Sequence, residues 1–262
     1  MMLQKKLTRV RKILRKHPGV VVALSGGVDS SLLLKIAKDV LGDRVIAVTA
    51  VSPLHPQDEV NEARKIAKIV HCRHLVIRTR ELENKKFVKN SRNRCYHCKR
   101  ELFTIFKRLA RKHQYNIIEA SNVSDLDDFR PGLRALAELN VESPFIQARI
   151  NKKEIRKLAK KFGLPNWDKP SMACLASRIP YGHKINTKTL RRIESAERYL
   201  KTFPLTQIRV RDHFPRARIE ILDNEFHIIL KNRKKIIDHF RKLGYTSVAL
   251  DLEGYRSGSL NR

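Results

Sequence analysis

The amino-acid sequence predicts an α/β fold, in which a parallel five-stranded sheet is flanked by helices and is followed by a small C-terminal α+β domain. Over the first half of the chain, short apolar runs rich in β-branched residues alternate with amphipathic helical segments, as in βαβ units. The first run, 20–24, leads into a helical segment through a loop with two adjacent glycines. From Thr187 the pattern changes to a helix followed by two alternating strands. We therefore predict two domains, 1–183 and 184–262.

Each predicted strand of the sheet is a run of apolar residues, and each predicted helix has apolar residues three or four positions apart. Asn151 is a typical N-cap residue, and Gly163 and Pro165 follow the end of the same helix. The predicted strands of the sheet are 20–24, 44–51, 74–77, 116–120 and 144–146. The predicted helices are 1–16, 30–37, 58–70, 94–113 and 151–162, and the loops include 78–93 and 167–182. The predicted elements of the second domain are a helix from residue 187, strands 207–211 and 217–221, a helical region 224–243 and a last strand 246–250.

The charge of the chain is strongly positive: 56 Lys and Arg residues stand against 26 Asp and Glu residues, for a net charge of +30. Such a surface attracts polyanions, so tRNA is one candidate partner. The basic residues are spread over the whole chain, however, and a Lys- and Arg-rich proteome, as in thermophiles, would give the same count. Aromatic residues make up only 6% of the chain, which offers few platforms for stacking on unpaired bases.

Hydropathy and cysteine content indicate a cytoplasmic protein without a membrane segment. No apolar run approaches the roughly 20 residues of a membrane span. The basic segment 1–16 has no apolar stretch of the kind found in secretory signals. In a reducing cytosol, the close pair Cys95 and Cys98 favours a metal or redox site over a structural disulfide. Cys72, at the start of a strand, is expected in the core.

The loop after the first strand has the composition of a phosphate-binding site. Its sequence is Ser25-Gly26-Gly27-Val28-Asp29-Ser30-Ser31. Two glycines allow a tight turn and a close approach of the backbone to a ligand. Free N–H groups at the start of the following helix suit a phosphate. The loop is not of the GxxxxGK[ST] type because no lysine follows the glycines. The alternative is a tight strand–helix turn without a ligand.

This loop matches the SGGxDS motif and resembles the PP-loop ATP pyrophosphatases. The resemblance implies a Rossmann-like fold of the adenine nucleotide alpha hydrolase type. It also implies that ATP is cleaved between its α and β phosphates while a substrate oxygen is adenylated. Ser25, Gly26, Gly27, Asp29, Ser30 and Ser31, together with Ser121 and Asn122 after the fourth strand, are the residues expected to bind ATP and pyrophosphate.

Further motifs narrow the resemblance to the LarE family of ATP-dependent sacrificial sulfur transferases. The resemblance covers nearly the whole chain. It implies a homo-oligomer that acts on a small-molecule nucleotide, the pyridinium dicarboxylate precursor of the nickel-pincer cofactor. The motifs are Cys95-Tyr96-His97-Cys98-Lys99, Ser121-Asn122 with Asp125, Asp128 and Arg130-Pro131-Gly132, Pro170-Ser171-Met172-Ala173-Cys174-Leu175-Ala176-Ser177-Arg178, Ala217-Arg218-Ile219-Glu220, and Leu250-Asp251-Leu252-Glu253-Gly254-Tyr255-Arg256-Ser257-Gly258.

The implied chemistry assigns Cys174 as the catalytic residue. A carboxylate is a poor acyl donor, and conversion to an acyl-adenylate provides AMP as the leaving group. The thiolate of Cys174 would then attack the activated carbonyl, and loss of its sulfur to the product would leave dehydroalanine. The alternative for Cys174 is a buried small apolar residue. Because Asp29 is acidic, a Mg²⁺ bridge to the phosphates is its expected role, with Asp125 and Asp128 as weaker metal ligands.

Four arginines are expected to bind the substrate or to assist Cys174. Arg178 could lower the pKa of the Cys174 thiol. Arg209 and Arg211 share a face of one strand, and Arg218 lies on the next. Guanidinium groups bind carboxylates and phosphates bidentately. The alternative is a solvated basic face.

The Cys95 and Cys98 pair is not needed by an enzyme with one working cysteine. With Cys174 it would supply three thiolates for a [4Fe–4S] cluster, as in some tRNA-thiolating enzymes of the superfamily. A tRNA-thiolating enzyme with such a cluster is therefore the alternative function. Half of a zinc site with His97 or His113, or a pair without a ligand, also stays open.

Overall fold

The computed structural model describes residues 2–126, 130–170 and 173–256. The chain divides into two compact units. The first unit comprises Met1–Glu81 and Asn93–Ser171, and the second comprises Leu82–Arg92 and Met172–Arg262. The segment that carries Cys174 thus belongs to the second unit, whereas the Gly-rich loop belongs to the first. The boundary near residue 183 stays a prediction.

The helices and strands occur in the predicted order except at 144–146, and the helices Lys85–Val88 and Gly132–Glu138 were not predicted. The strands are β1 (Val20–Ala23), β2 (Val45–Val51), β3 (Arg73–Arg78), β4 (Asn116–Ile118), β5 (Ile208–His213), β6 (Arg216–Ile221) and β7 (Ser247–Leu250). The helices are α1 (Met2–Arg15), α2 (Val28–Leu41), α3 (Gln57–Ile69), α4 (Lys85–Val88), α5 (Arg94–Lys112), α6 (Gly132–Glu138), α7 (Pro144–Gln147), α8 (Lys152–Lys161), α9 (Thr187–Leu200), α10 (Phe226–Lys231) and α11 (Arg233–Lys242).

The sheet of the first unit has four strands in the order β3-β2-β1-β4, and all neighbours are parallel. The predicted parallel sheet is confirmed, but the prediction of a fifth strand at 144–146 is wrong. Those residues begin helix α7, because Pro144 lacks the N–H that a strand needs and is favoured in the first turn of a helix. Among the residues that the structure describes, only Glu142 extends the sheet beyond β4, through a single parallel bridge to Ile118.

Alternating residues of the sheet face two apolar layers. Val20 and Val22 of β1 point into a cluster formed with α1, α2 and α8. Val21 points to the other face, where it meets Phe103 and Phe106 of α5. A sheet covered on both faces explains why these strands read as unbroken apolar runs. It also leaves the carboxyl ends of the strands as the edge at which a ligand can bind.

The second unit contains a three-stranded sheet in the order β5-β6-β7, with an antiparallel and then a parallel pair. Val210 and Ile219 face a core that includes Leu200 of α9 and Phe240 of α11. The predicted helical region 224–243 is divided at Asn232 into α10 and α11. Among the described residues, no helix is long and apolar enough to span a membrane.

Candidate active site

The Gly-rich loop is organised by its own serine side chains. The Ser30 hydroxyl accepts a hydrogen bond from the backbone N–H of Ser25 (3.1 Å) and donates to the carbonyl oxygen of Gly27 (3.1 Å). The Ser31 hydroxyl donates to the same oxygen at 2.8 Å. Helix α2 begins directly after Gly27, so its first N–H groups and the positive end of its dipole lie in the loop. The structure therefore brings together the predicted loop residues at the start of a helix, and their binding of ATP or pyrophosphate stays a prediction.

Residues of the neighbouring strands hold the end of β1, directly before this loop. Thr49 of β2 donates from its hydroxyl to the carbonyl oxygen of Leu24 at 2.7 Å, and its Oγ1 lies 2.8 Å from Nε2 of His74 on β3. Burial and the nearby charge of Arg64 lower the pKa of His74 and so favour the neutral ring. A neutral His74 can donate from Nε2 to Thr49, which fixes the end of β1.

Gly26 is the position at which the loop requires glycine. Its φ is +78°, and an added Cβ would lie 2.7 Å from the carbonyl oxygen of Glu59 on α3. Gly27 differs, because its φ is −78° and the nearest atom to an added Cβ is Ser25 Oγ at 3.4 Å. A Cβ atom would therefore clash at Gly26 but fit at Gly27, so the two adjacent positions can be compared directly.

We expect Gly26→Ala to lower the free energy of unfolding of the first unit by about 2–4 kcal/mol, because it adds backbone strain to a clash with helix α3. Gly27→Ala is expected to change it by less than about 1 kcal/mol. Urea denaturation followed by the fluorescence of Trp167, the single tryptophan, measures both changes. Equal effects of the two substitutions would contradict the assignment of Gly26 as the strained position.

Asn166 is a loop contact that the sequence did not reveal. Its Nδ2 donates to the Gly26 carbonyl oxygen at 3.0 Å and to Ser31 Oγ at 2.9 Å, and the side chain is buried. Nothing in its local sequence, other than its place before the lone Trp167, marks it as part of a site. Its position depends on a contact across 140 residues of chain.

Asp29 lies within a polar network at the start of α2. Asn122 donates from Nδ2 to Asp29 Oδ1 and to Asp125 Oδ2, each at 3.1 Å. The ammonium of Lys152, at the start of α8, contacts the other oxygen of Asp29. Ser121 instead donates from its hydroxyl to Glu119 Oε2 at 2.7 Å. The predicted residues Asp29, Asn122 and Asp125 thus lie together, and Lys152 joins them without having been predicted.

Of the predicted metal ligands, Asp29 fits Mg²⁺ best. Its two described contacts leave lone pairs on a carboxylate that is 22% exposed. Asp125 accepts from Asn122 at Oδ2 and pairs with Arg130 at Oδ1, so it acts as a cap and its metal role stays a prediction. Asp128 lies outside the described residues. One carboxylate suits a magnesium ion that is bound mainly by nucleotide phosphates.

In the second unit, Cys174 precedes a 3₁₀ turn, Leu175–Arg178, and is partly exposed. Arg178 is fully buried, and its Nε and Nη2 donate to the two carboxylate oxygens of Glu197 at 2.8 and 3.0 Å. Its Nη1 contacts the carbonyl oxygens of Ala173 and Cys174. Arg178 therefore holds the backbone around Cys174, and contact with a substrate stays a prediction.

The remaining arginines form a charged face on β5 and β6. Arg211 makes a bidentate pair with buried Glu220, both distances being 2.8 Å, and donates to the Ser177 carbonyl oxygen. Arg218 is 43% exposed; it donates to Glu220 at 3.2 Å, and its Nε lies 3.4 Å from Asp251 Oδ2.

Arg209 lies over the Tyr255 ring on the same face. Burial, and then the charge of Arg178, lower the pKa of Arg209. Together with Arg178 of the preceding 3₁₀ turn, the arginines of this face lie among three carboxylates. The carboxylates of Glu197, Glu220 and Asp251 were not predicted as part of the site.

Cys95 and Cys98 lie three residues apart near the start of α5. Cys95 is exposed, and Cys98 is partly buried. All four cysteines of the chain are described, and none forms a disulfide. In the described ranges, no group of three or more His, Cys, Asp or Glu residues could hold a metal ion. The cluster and zinc sites therefore stay predictions.

Comparison with known proteins gives one family model and several relatives. The model described as NAD synthase matches residues 2–125. A pyridinium-3,5-bisthiocarboxylic acid mononucleotide synthase of Lactiplantibacillus plantarum is 32% identical over 244 residues, which cover 92% of this chain and 88% of the relative. An uncharacterized protein of Synechocystis sp. is 39% identical over 264 residues, or 100% of this chain and 98% of the relative. Another, of Methanocaldococcus jannaschii, is 31% identical over 261 residues, or 98% and 100%.

Proposed function

Since the chain belongs to the PP-loop family of LarE-type synthases, we propose that it is an ATP-dependent sulfur transferase that thiolates a pyridinium dicarboxylate mononucleotide with sulfur from Cys174. The observation that supports the proposal is that the chain has both a Gly-rich loop at the start of a helix and a partly exposed cysteine on a segment held by buried arginines. The proposed product is a thiocarboxylate for nickel-pincer cofactor biosynthesis.

In the first step, a carboxylate oxygen of the substrate attacks the α-phosphorus of ATP, and pyrophosphate leaves. The loop around Gly27 offers N–H groups and the α2 dipole to that pyrophosphate. Magnesium, when it is bound with the nucleotide, neutralises phosphate charge, and Asp29 is the residue that would hold it. The acyl-adenylate that results has AMP as its leaving group.

In the second step, the Cys174 thiolate attacks the acyl carbon, and AMP departs to give a thioester. Removal of the Cys174 Cα proton then breaks its Cβ–S bond, so the sulfur leaves with the product as a thiocarboxylate and dehydroalanine remains in the chain. Guanidinium groups bind carboxylates and phosphates, and Arg209, Arg211 and Arg218 share one face of the sheet of the second unit, which supports binding of an anionic substrate there. Each chain would act once.

Intact mass spectrometry tests the proposal. Protein purified under anaerobic conditions is incubated with ATP, Mg²⁺ and the dicarboxylate nucleotide. The expected result is a loss of the mass of H₂S, located by peptide mapping in the segment that contains Cys174, with stoichiometric release of pyrophosphate. Full sulfur incorporation at unchanged protein mass would overturn the sacrificial reaction.

The second candidate is sulfur delivery from an iron–sulfur cluster, with tRNA as the substrate. The observation that favours it is the pair Cys95 and Cys98 on one turn of α5, with Cys95 exposed. This candidate predicts a brown chromophore after anaerobic purification, an unchanged protein mass and repeated turnover. Thiolated tRNA in the same incubation would identify an RNA substrate.

A further inference from the structure

Two backbone oxygens of the Gly-rich loop are bound by side-chain donors. The carbonyl oxygen of Gly27 accepts from the hydroxyls of Ser30 at 3.1 Å and of Ser31 at 2.8 Å. The carbonyl oxygen of Gly26 accepts from Nδ2 of Asn166 at 3.0 Å. Because a carbonyl oxygen directed at a phosphate repels it, an anion site needs such oxygens bound elsewhere. For Gly26 this contact comes from a residue 140 positions further along the chain.

The peptide between Gly26 and Gly27 is the part of the loop that most needs such a contact. The φ of Gly26 is +78°, and two adjacent glycines place no Cβ atom on either side of this peptide. Such a peptide can exchange the directions of its C=O and N–H groups at low steric cost. In the structure, Asn166 holds the C=O end, and Ser25 Oγ accepts from the Gly27 N–H at 3.3 Å. Loss of the Asn166 donor would therefore release the oxygen end.

Asn166 also acts on the second oxygen, through Ser31. Its Nδ2 donates to Ser31 Oγ at 2.9 Å, and that hydroxyl donates in turn to the Gly27 carbonyl oxygen. Nδ2 carries two hydrogen atoms, so one side-chain amide can make both contacts. Hydrogen bonds in a chain of this kind polarise and strengthen one another. The directions of both carbonyl groups therefore depend on one buried amide.

The segment that carries Asn166 is itself fixed against α8. Arg156 of that helix donates to the carbonyl oxygens of Trp167 at 3.3 Å and of Lys169 at 2.9 Å. The ammonium of Lys160 lies 4.5 Å from the centre of the Trp167 ring. Asn166 is 3% exposed, so its amide reaches the loop from a buried and anchored position.

Fold stability alone does not explain an amide at position 166. Among the residues that the structure describes, no donor reaches the Oδ1 atom of Asn166, although this atom is buried. A buried acceptor without a partner lowers stability, so an apolar side chain of similar size would serve folding better. The two contacts of Nδ2 with the loop are therefore what the amide provides.

We propose that Asn166 is a positioning residue of the phosphate site. It holds the carbonyl oxygen of Gly26 and, through Ser31, that of Gly27 away from the ligand, so that the loop offers its N–H groups to the pyrophosphate part of ATP. The inference rests on the proposed ATP site and adds a residue that acts through the loop without touching the nucleotide. Asn166 thus sets the directions of the loop's polar groups and adds no charge to them.

Equilibrium binding tests this inference without any turnover. Magnesium pyrophosphate and magnesium ATP are titrated by calorimetry into wild type, Asn166→Leu, Asn166→Asp and Asn232→Leu. Asn232 is the matched control, because its Nδ2 likewise donates to a backbone carbonyl oxygen, that of Ile228 at 2.8 Å, but in the second unit. We expect Asn166→Leu to weaken both ligands about 10-fold and Asn232→Leu to stay within about 2-fold. Asn166→Asp should weaken them about 100-fold, because its carboxylate repels both the Gly26 oxygen and the phosphates.

Hydrogen exchange measured by mass spectrometry gives a second readout, at the loop itself. In Asn166→Leu, the backbone N–H groups of residues 25–31 should exchange faster than in wild type. Exchange in strand β2 and in helix α8 should stay unchanged, because the substitution releases the loop and not the core. If Asn166→Leu fails to fold, Asn166→Asp, which keeps the shape of the side chain, allows both measurements.

The two measurements separate the possible failures. If Asn166→Leu binds both ligands as tightly as Asn232→Leu, the inference is wrong while the proposed function stands. If wild type binds neither ligand, the proposed function and this inference both fail. A merely structural role for Asn166 would lower the fraction of binding-competent protein and speed exchange throughout the first unit. It would leave the dissociation constant of the competent fraction unchanged, and this result would also overturn the inference.

Discussion

Cys174→Ser is expected to abolish sulfur incorporation into the dicarboxylate nucleotide while pyrophosphate release from ATP continues. The hydroxyl that replaces the thiol contains no sulfur to transfer, whereas the loop around Gly27 lies in the other unit and is not altered. Serine is nearly isosteric with cysteine, and Cys174 is partly exposed, so the fold is expected to persist. Pyrophosphate release should therefore continue in this variant while sulfur transfer is lost.

The measurement combines a pyrophosphate assay with mass spectrometry of the nucleotide product. Cys95→Ser and Cys98→Ser serve as controls from near the start of α5. In the sacrificial reaction both controls form product at the wild-type yield of one per chain. Product formed by Cys174→Ser would refute the assignment of the sulfur donor, and loss of product in all three variants would favour the cluster.

The strand, loop and helix at the start of the first unit could be predicted because the sequence patterns that specify them are local. Runs such as Val20-Val21-Val22 are apolar on both faces, since α2 and α5 cover the two sides of the sheet. The glycines of the loop reflect a backbone requirement at a single turn, which Gly26 confirms with its positive φ. The strand–loop–helix order therefore followed from neighbouring residues alone.

The fifth strand was mispredicted because the apolar content of 144–146 outweighed its proline. Phe145 is fully buried, so its hydrophobicity was a true signal of the core. A short buried apolar run does not by itself distinguish a strand from a helix. Pro144 at the first helical position was the deciding feature.

Site residues that depend on distant contacts were not predictable. Lys152 and Asn166 reach the loop from 123 and 135–140 residues away, and neither has a motif of its own. The arginines of the second unit were recognised as a charged set, but their sequence could not show their partners. Arg178 and Arg211 prove to be bound to buried carboxylates, which changes what they can offer to a ligand.

The buried pair between Arg178 and Glu197 is expected to have the largest effect on stability in the second unit. Glu197 accepts from Arg178 Nε and Nη2 and from the backbone N–H of Val210 at 3.0 Å. Glu197→Ala would leave a buried guanidinium without this partner. We expect it to lower the free energy of unfolding by about 3–5 kcal/mol.

Two further variants make this expectation specific. Glu253→Ala removes an exposed ion pair with Arg256 in the same unit and should cost less than about 1 kcal/mol. The double variant Arg178→Met with Glu197→Met removes both charges and should be more stable than Glu197→Ala, because no guanidinium is then left buried without its carboxylate. Urea denaturation followed by circular dichroism measures all three. A Glu197→Ala protein as stable as Glu253→Ala would show that the Arg178–Glu197 pair does not hold the Cys174 segment in place.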